Sequence, residues 1–145
     1  MAVDPEIGSV DILDYVIVED GGKLVNPMIV DGQIYGGFAQ GVGTALYEEM
    51  PFNLAGQPLA STFADYLLPG PTEVPAPRVD HMETLAPHTE FGVKGIGEGG
   101  AIAPPAAIAN AVNDALRSLG VEMLMSPITP RRILSAMART GRSSP

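Results

Sequence analysis

The residues best placed to do chemistry lie in Gly92-Val-Lys-Gly-Ile-Gly-Glu-Gly-Gly100, a glycine-rich segment with one carboxylate, Glu98, near its end. Three chemistries meet that pattern. The stretch from Gly95 to Gly100 matches G-x-G-x-x-G, which cradles a dinucleotide pyrophosphate when a buried parallel strand precedes it and a helix starts inside it. Here Thr89-Glu90-Phe91-Gly92 makes a poor buried strand, and Pro104-Pro105 delays the helix. A carboxylate inside the loop would also repel phosphate. The second possibility is a plain connector. Glu98 would then be solvated, or would cap the helix that follows, where negative charge gains about 0.3–1 kcal/mol. The third is a catalytic carboxylate on backbone that must pass close to a bulky cofactor, an approach that flanking glycines permit because no Cβ intrudes. Residue types and spacing alone leave the last two open.

The rest of the chain limits what such a loop can belong to. Its 145 residues suffice for one domain and are too few for two. Seventeen acids against eight bases give a net charge of −9, which argues against nucleic acid because phosphate neutralisation needs a basic surface. There is no cysteine, so neither a disulfide nor a cysteine-ligated iron–sulfur cluster can form within it. No apolar run approaches a membrane span and no signal peptide opens the chain, so a cytoplasmic location is expected. Charged residues make up only 17% against 46% hydrophobic, which implies apolar surface that meets a partner or a second copy.

Several elements must position the loop. Asp4-Pro5-Glu6-Ile7-Gly8 is turn chemistry, followed by a strand over Ser9 to Val18. Only Met1-Ala2-Val3 precede that turn, too little to cover the strand edge, so the hairpin looks cut or completed by another chain. Asn26-Pro27 starts a helix that runs to about Met50, with Val30, Ile34, Phe38, Val42, Leu46 and Glu49 as its stripe. Gly36, Gly37, Gly41 and Gly43 lie inside it, each costing up to ~1 kcal/mol relative to alanine, so backbone or ligand must come close. A hairpin around Ala55-Gly56, an irregular stretch from Ser61 to Pro77 and a short strand from Val79 to Leu85 come next. A second helix spans about Pro104 to Leu119, with Ala109, Val112, Ala115 or Leu116, and Leu119 on one face. Thr129-Pro130 caps a last helix, Arg131 to Ala138. His81 and His88 lack metal-ligand spacing and read as structural, and the seven methionines read as core filler.

Three blocks carry a family resemblance. Gly92 to Glu98, followed by Pro104-Pro-Ala-Ala-Ile-Ala-Asn-Ala-Val-Asn-Asp-Ala-Leu116, resembles the active-site loop and next helix of the molybdenum hydroxylases. That family includes xanthine dehydrogenase, aldehyde oxidase and aerobic carbon monoxide dehydrogenase. The second block is Asn26-Pro27 with Gly32-Gln33-Ile-Tyr-Gly-Gly-Phe-Ala-Gln-Gly41-Val-Gly and Ala45-Leu-Tyr-Glu-Glu49. The third is Phe63-Ala-Asp-Tyr-Leu-Leu-Pro69.

The resemblance implies the following. Residues 1–140 form the C-terminal portion of a molybdopterin-binding large subunit, while 141–145 are expected on their terminal position alone to be a disordered tail. The fold is α/β (α+β), a small and mainly antiparallel sheet with two long helices, within a larger cofactor domain. Glu98 matches the general base that activates a molybdenum-bound hydroxyl for oxidative hydroxylation of an aldehyde, an N-heterocycle or a similar substrate. Gln33 matches a pterin-binding glutamine, although alone it would read as a surface amide. Lys94, Gly95, Ile96 and Gly97 are expected near the cofactor, with Lys94 otherwise simply solvated. The cofactor is molybdopterin in its cytosine dinucleotide form carrying molybdenum, with no metal ligand on this chain. Iron–sulfur clusters of the 2Fe-2S type and FAD belong to partner subunits, alongside the remainder of the large subunit. This segment alone should turn nothing over. A non-catalytic truncated or assembly module is the alternative.

Overall fold

The computed structural model describes residues 1–141, so the tail expected to be disordered lies outside them apart from Gly141. The longest element is α1 (Pro27–Leu46). Asn26 is extended at its start, its side-chain oxygen accepts from the Ile29 amide at 3.3 Å, and Pro27 opens the first turn. Val30, Ile34, Phe38, Val42 and Leu46 are all buried, as their spacing predicts. Each large side chain among them contributes about 1.5–3 kcal/mol by leaving water. The helix stops short of Met50. The Tyr47 and Glu48 amides both bond the Gly43 carbonyl, at 2.9 and 2.8 Å, and Pro51 keeps the residue before it out of helical geometry.

Two pairs of strands flank the helix. β1 (Ala2–Val3) and β2 (Val10–Asp11) pair antiparallel across the Asp4–Gly8 turn. β3 (Val16–Asp20) pairs with β4 (Arg78–Met82) from Val16↔Arg78 to Asp20↔Met82, and this ladder is parallel. The α/β class with small sheets is therefore as expected, but its longer ladder runs the other way from the antiparallel pairing predicted. The physical reason is the connection. A crossover that includes α1 carries the chain back to the same end of the sheet, which only a long connection permits. The strand expected over Ser9 to Val18 breaks for a related reason: β2 pairs with β1, whereas from Tyr15 the chain pairs with β4, the Tyr15 carbonyl accepting from the Arg78 amide at 2.8 Å.

The core closes with α3 (Pro104–Leu116) and α4 (Pro130–Arg139). On α3 the buried face is Pro104, Ile108, Val112 and Leu116. Of the face expected, Val112 and Leu116 are buried and Ala109 and Leu119 pack partly buried against the core, whereas Ala115, the alternative to Leu116, is exposed. Thr129 caps α4 through the Arg132 amide as predicted, and Ile133 and Met137 complete the core with Phe38, Val42 and Ile128. Among the methionines only Met123 and Met137 are buried, while Met28, Met50, Met82 and Met125 are exposed, so core filling does not describe the set. The hairpin around Gly56 forms, with Phe52 bridged to Pro58. Among the described residues no helix is long and apolar enough to cross a membrane.

Candidate active-site loop

A crossing of glycines anchors the loop at its entry. Gly22, just after β3, has φ +61°, and a Cβ there would collide with the Gly92 carbonyl oxygen. Gly92 itself has φ +72° and lies against Leu85. Two positive-φ positions in contact admit little but glycine. Through this contact the Lys23 amide donates to the Gly92 carbonyl at 3.3 Å and the Lys94 amide to the Gly21 carbonyl at 3.0 Å. The Lys94 ammonium pairs with Asp20 at 2.9 Å. Asp20 also accepts from the Gly22 amide at 3.0 Å and the Thr84 amide at 3.1 Å. The Lys94 ammonium first, and those amides next, hold the Asp20 carboxyl well below the usual carboxylate range.

The far end is anchored by a short helix that sequence patterns did not reveal, α2 (Gly99–Ile102). It packs on α1 through glycine. A Cβ on Gly100 would come within 2.8 Å of the Ile34 Cα, and one on Gly37 within 2.8 Å of the Gly100 carbonyl carbon. Gly41 likewise admits Pro104 of α3. Three of the costly helical glycines thus serve close approach within the chain: Gly37 to α2, Gly41 to α3, and Gly43 to Glu48. Gly32 and Gly36 differ. A Cβ on either would meet nothing within 4 Å, and the same holds for Gly95 and Gly97 in the loop.

Between these anchors stands Glu98. It occupies the position before α2, yet its side chain makes no capping hydrogen bond. Only its backbone carbonyl is engaged, accepting from the Ala101 amide at 2.9 Å. The carboxylate is exposed and has no ion pair or hydrogen bond among the described residues. The capping role weighed for it is therefore not what this geometry shows. The dinucleotide motif also fails, since a 3-10 turn (Glu90–Gly92) rather than a strand leads into the loop, and the helix within it has four residues.

The other predicted site residues divide. Lys94 and Ile96 line a cleft of about 240 Å³ with Gly21, Asn26, Ile29 and Val30, between the loop and the first turns of α1. The Lys94 ammonium is committed to Asp20, and its backbone amide to the Gly21 carbonyl. Gln33 is exposed on α1, next to the Ile34 that touches Gly100, and no bond joins it to Glu98. Among the described residues no group of three or more His, Cys, Asp or Glu could hold a metal ion. Sequence reasoning read His81 as structural and missed Glu19 and Asp31, which gather with it beneath the loop. His81 Nε2 lies 2.8 Å from Asp31 Oδ1, and the Glu19 carboxylate fills the place where a side chain on Gly99 would go. Burial raises the Glu19 pKa, against a smaller opposing effect of His81. Fifty residues separate Asp31 from His81, and no local pattern links them.

The family model of the molybdopterin cofactor-binding domain matches residues 1–75. The chain belongs to that family. It is 42% identical over 134 residues to the nicotine 6-hydroxylase large subunit of Paenarthrobacter nicotinovorans, covering 92% of this chain and 16% of that protein. It is 34% identical to the carbon monoxide dehydrogenase large chain of Hydrogenophaga pseudoflava, over 93% of this chain and 17% of that one. In three dimensions it matches quinoline 2-oxidoreductase of Pseudomonas putida 86 with a TM-score of 0.91 and 43% identity, over 94% of this chain and 17% of that one. The chain thus spans about a sixth of the length of these relatives.

Proposed function

We infer that this chain is part of the large subunit of a cytoplasmic molybdenum–pterin hydroxylase, in which Glu98 is the general base for oxidation of an N-heteroaromatic substrate. The observation that carries the reading is the free carboxylate of Glu98, exposed on a loop that is fixed at both ends. A group that caps no helix and joins no ion pair is available for proton transfer. The residues present suit a bulky pterin. The backbone of Gly95 and Gly97 is bare of neighbours, Gly32 and Gly36 leave α1 open beside Gln33, and the Gln33 amide has donors and an acceptor to offer. Gln33 and the Lys94-to-Gly97 backbone would hold the cofactor, in its cytosine dinucleotide form. When bound, that cofactor supplies the redox chemistry. The chain's own part is to hold Glu98 in place and to accept a proton at its carboxylate oxygen.

The N-heteroaromatic class is favoured by the higher identity to the nicotine and quinoline enzymes, 42% and 43%, than to the carbon monoxide enzyme, 34%. Electrons leave through 2Fe-2S and flavin subunits. The remainder of the large subunit covers exposed apolar side chains such as Val25, Met28, Phe63 and Leu124. The assembled enzyme should contain molybdenum and oxidise pyridine- or quinoline-type rings faster than aldehydes, measured with an artificial electron acceptor. An assembly that carried no molybdenum and oxidised none of these compounds would favour the other reading, a non-catalytic assembly module.

A further inference from the structure

The floor beneath Glu98 holds polar groups that the fold does not explain. Glu19 on β3 and His81 on β4 are register partners in the parallel ladder, so their side chains leave the sheet on the same side. His81 Nε2 is held by Asp31 of α1 at 2.8 Å. Glu19 Oε2 and His81 Nδ1 are both buried without a hydrogen-bond partner. Buried polar atoms left unpaired cost free energy, and an apolar pair would fill the same ladder positions without that cost. The carboxylate of Glu19 also stands where any side chain on Gly99 would be, in direct contact with the residue after Glu98. Four elements therefore converge at one point: β3, β4, α1 and the start of α2.

We propose that Glu19, which stands beside the His81–Asp31 pair, is a positioning residue that sets the height of the loop backbone at Gly99 and so aims Glu98. The proposal rests on Glu98 being the base. Asp31 fixes the imidazole, the ladder register puts Glu19 on the same side of the sheet as that imidazole, and Glu19 supports Gly99 from below. Glycine at 99 is what lets the support come from another strand. If Glu19 were lost, the backbone at Gly99 could sink into the vacated space, and a shift of that kind near reacting atoms is costly to rate while leaving substrate binding intact.

The test compares Glu19→Ala, Glu19→Gln and Glu98→Gln in the assembled molybdenum enzyme. Readouts are kcat, KM, metal content and hydrogen exchange of the backbone amides from Gly95 to Ile102. Glu19→Ala should lower kcat by about tenfold or more, with KM within about twofold. Its molybdenum content should be unchanged, and exchange across the segment should be faster with or without cofactor. Glu19→Gln fills the same space and should restore kcat to within about threefold of wild type. Wild-type kcat in Glu19→Ala, or equal losses in the Ala and Gln variants, would overturn the proposal. So would a fall in molybdenum content parallel to the fall in rate, because that marks a structural role only. Full activity in Glu98→Gln would instead sink the base assignment, and the exchange readout would still decide whether Glu19 holds the loop.

Discussion

Glu98→Gln in the assembled enzyme should lower kcat by roughly a hundredfold to ten-thousandfold, the range removed with a general base. Glutamine keeps the size and shape of the side chain and loses only the ability to accept a proton. Because the Glu98 carboxylate makes no bond within the fold, the substitution breaks no cap and no ion pair. Stability and molybdenum content should therefore stay at wild-type levels while turnover falls. That separation gives the variant its meaning. Loss of metal together with rate would point to a damaged assembly. Retention of more than about a tenth of the wild-type kcat would be far too much for a variant lacking its base. Metal analysis and steady-state rates on one preparation check both.

Gly100→Ala should damage the same site by another route. The new methyl group would meet backbone, the Ile34 Cα at 2.8 Å, and backbone cannot rotate aside as a side chain can. Either α2 lifts from α1 or both helices shift. Overpacking of this kind costs about 1–3 kcal/mol, and here the strain falls on the segment that begins at Glu98. The expected result is a lower thermal midpoint together with reduced kcat. Gly36→Ala is the matched comparison, since a Cβ there meets nothing within 4 Å and alanine favours a helix by up to about 1 kcal/mol. Its midpoint should not fall through any clash within this chain. If Gly100→Ala melted like wild type, the tight α1–α2 crossing would not be what holds the loop. Thermal unfolding of the two variants side by side decides this.

Much of this architecture was legible because it is local or periodic. The stripe from Val30 to Leu46 repeats at helical spacing, and Asn26-Pro27 and Thr129-Pro130 carry their caps within three residues. Glu98 stood out only through the resemblance of its loop, Gly92 to Glu98, to that of the molybdenum hydroxylases, since residue types and spacing left it open between a connector and a catalytic acid. Other features depend on partners far away in the chain. The direction of the β3–β4 ladder follows from how a crossover of nearly sixty residues returns, and residues 16–20 show no sign of it. α2 contains Gly99 and Gly100, poor helix formers, and exists because Gly37 and Ile34 give it a surface to lie on. Lys94 read equally well as solvated until Asp20 appeared beside it. Glu19, Asp31 and His81 had no motif at all, and only packing brings them together. The glycines of α1 looked alike in sequence, yet Gly37 and Gly41 receive neighbours from this chain whereas Gly32 and Gly36 remain open.

The most direct measurement is the position of the Glu98 carboxylate in a crystal structure of the assembled, molybdenum-loaded enzyme. A carboxylate oxygen should lie within hydrogen-bond reach, about 3 Å, of an oxygen ligand on the metal, with Gln33 against the pterin. A Glu98 side chain turned into bulk solvent, with the metal served by some other acid, would contradict it.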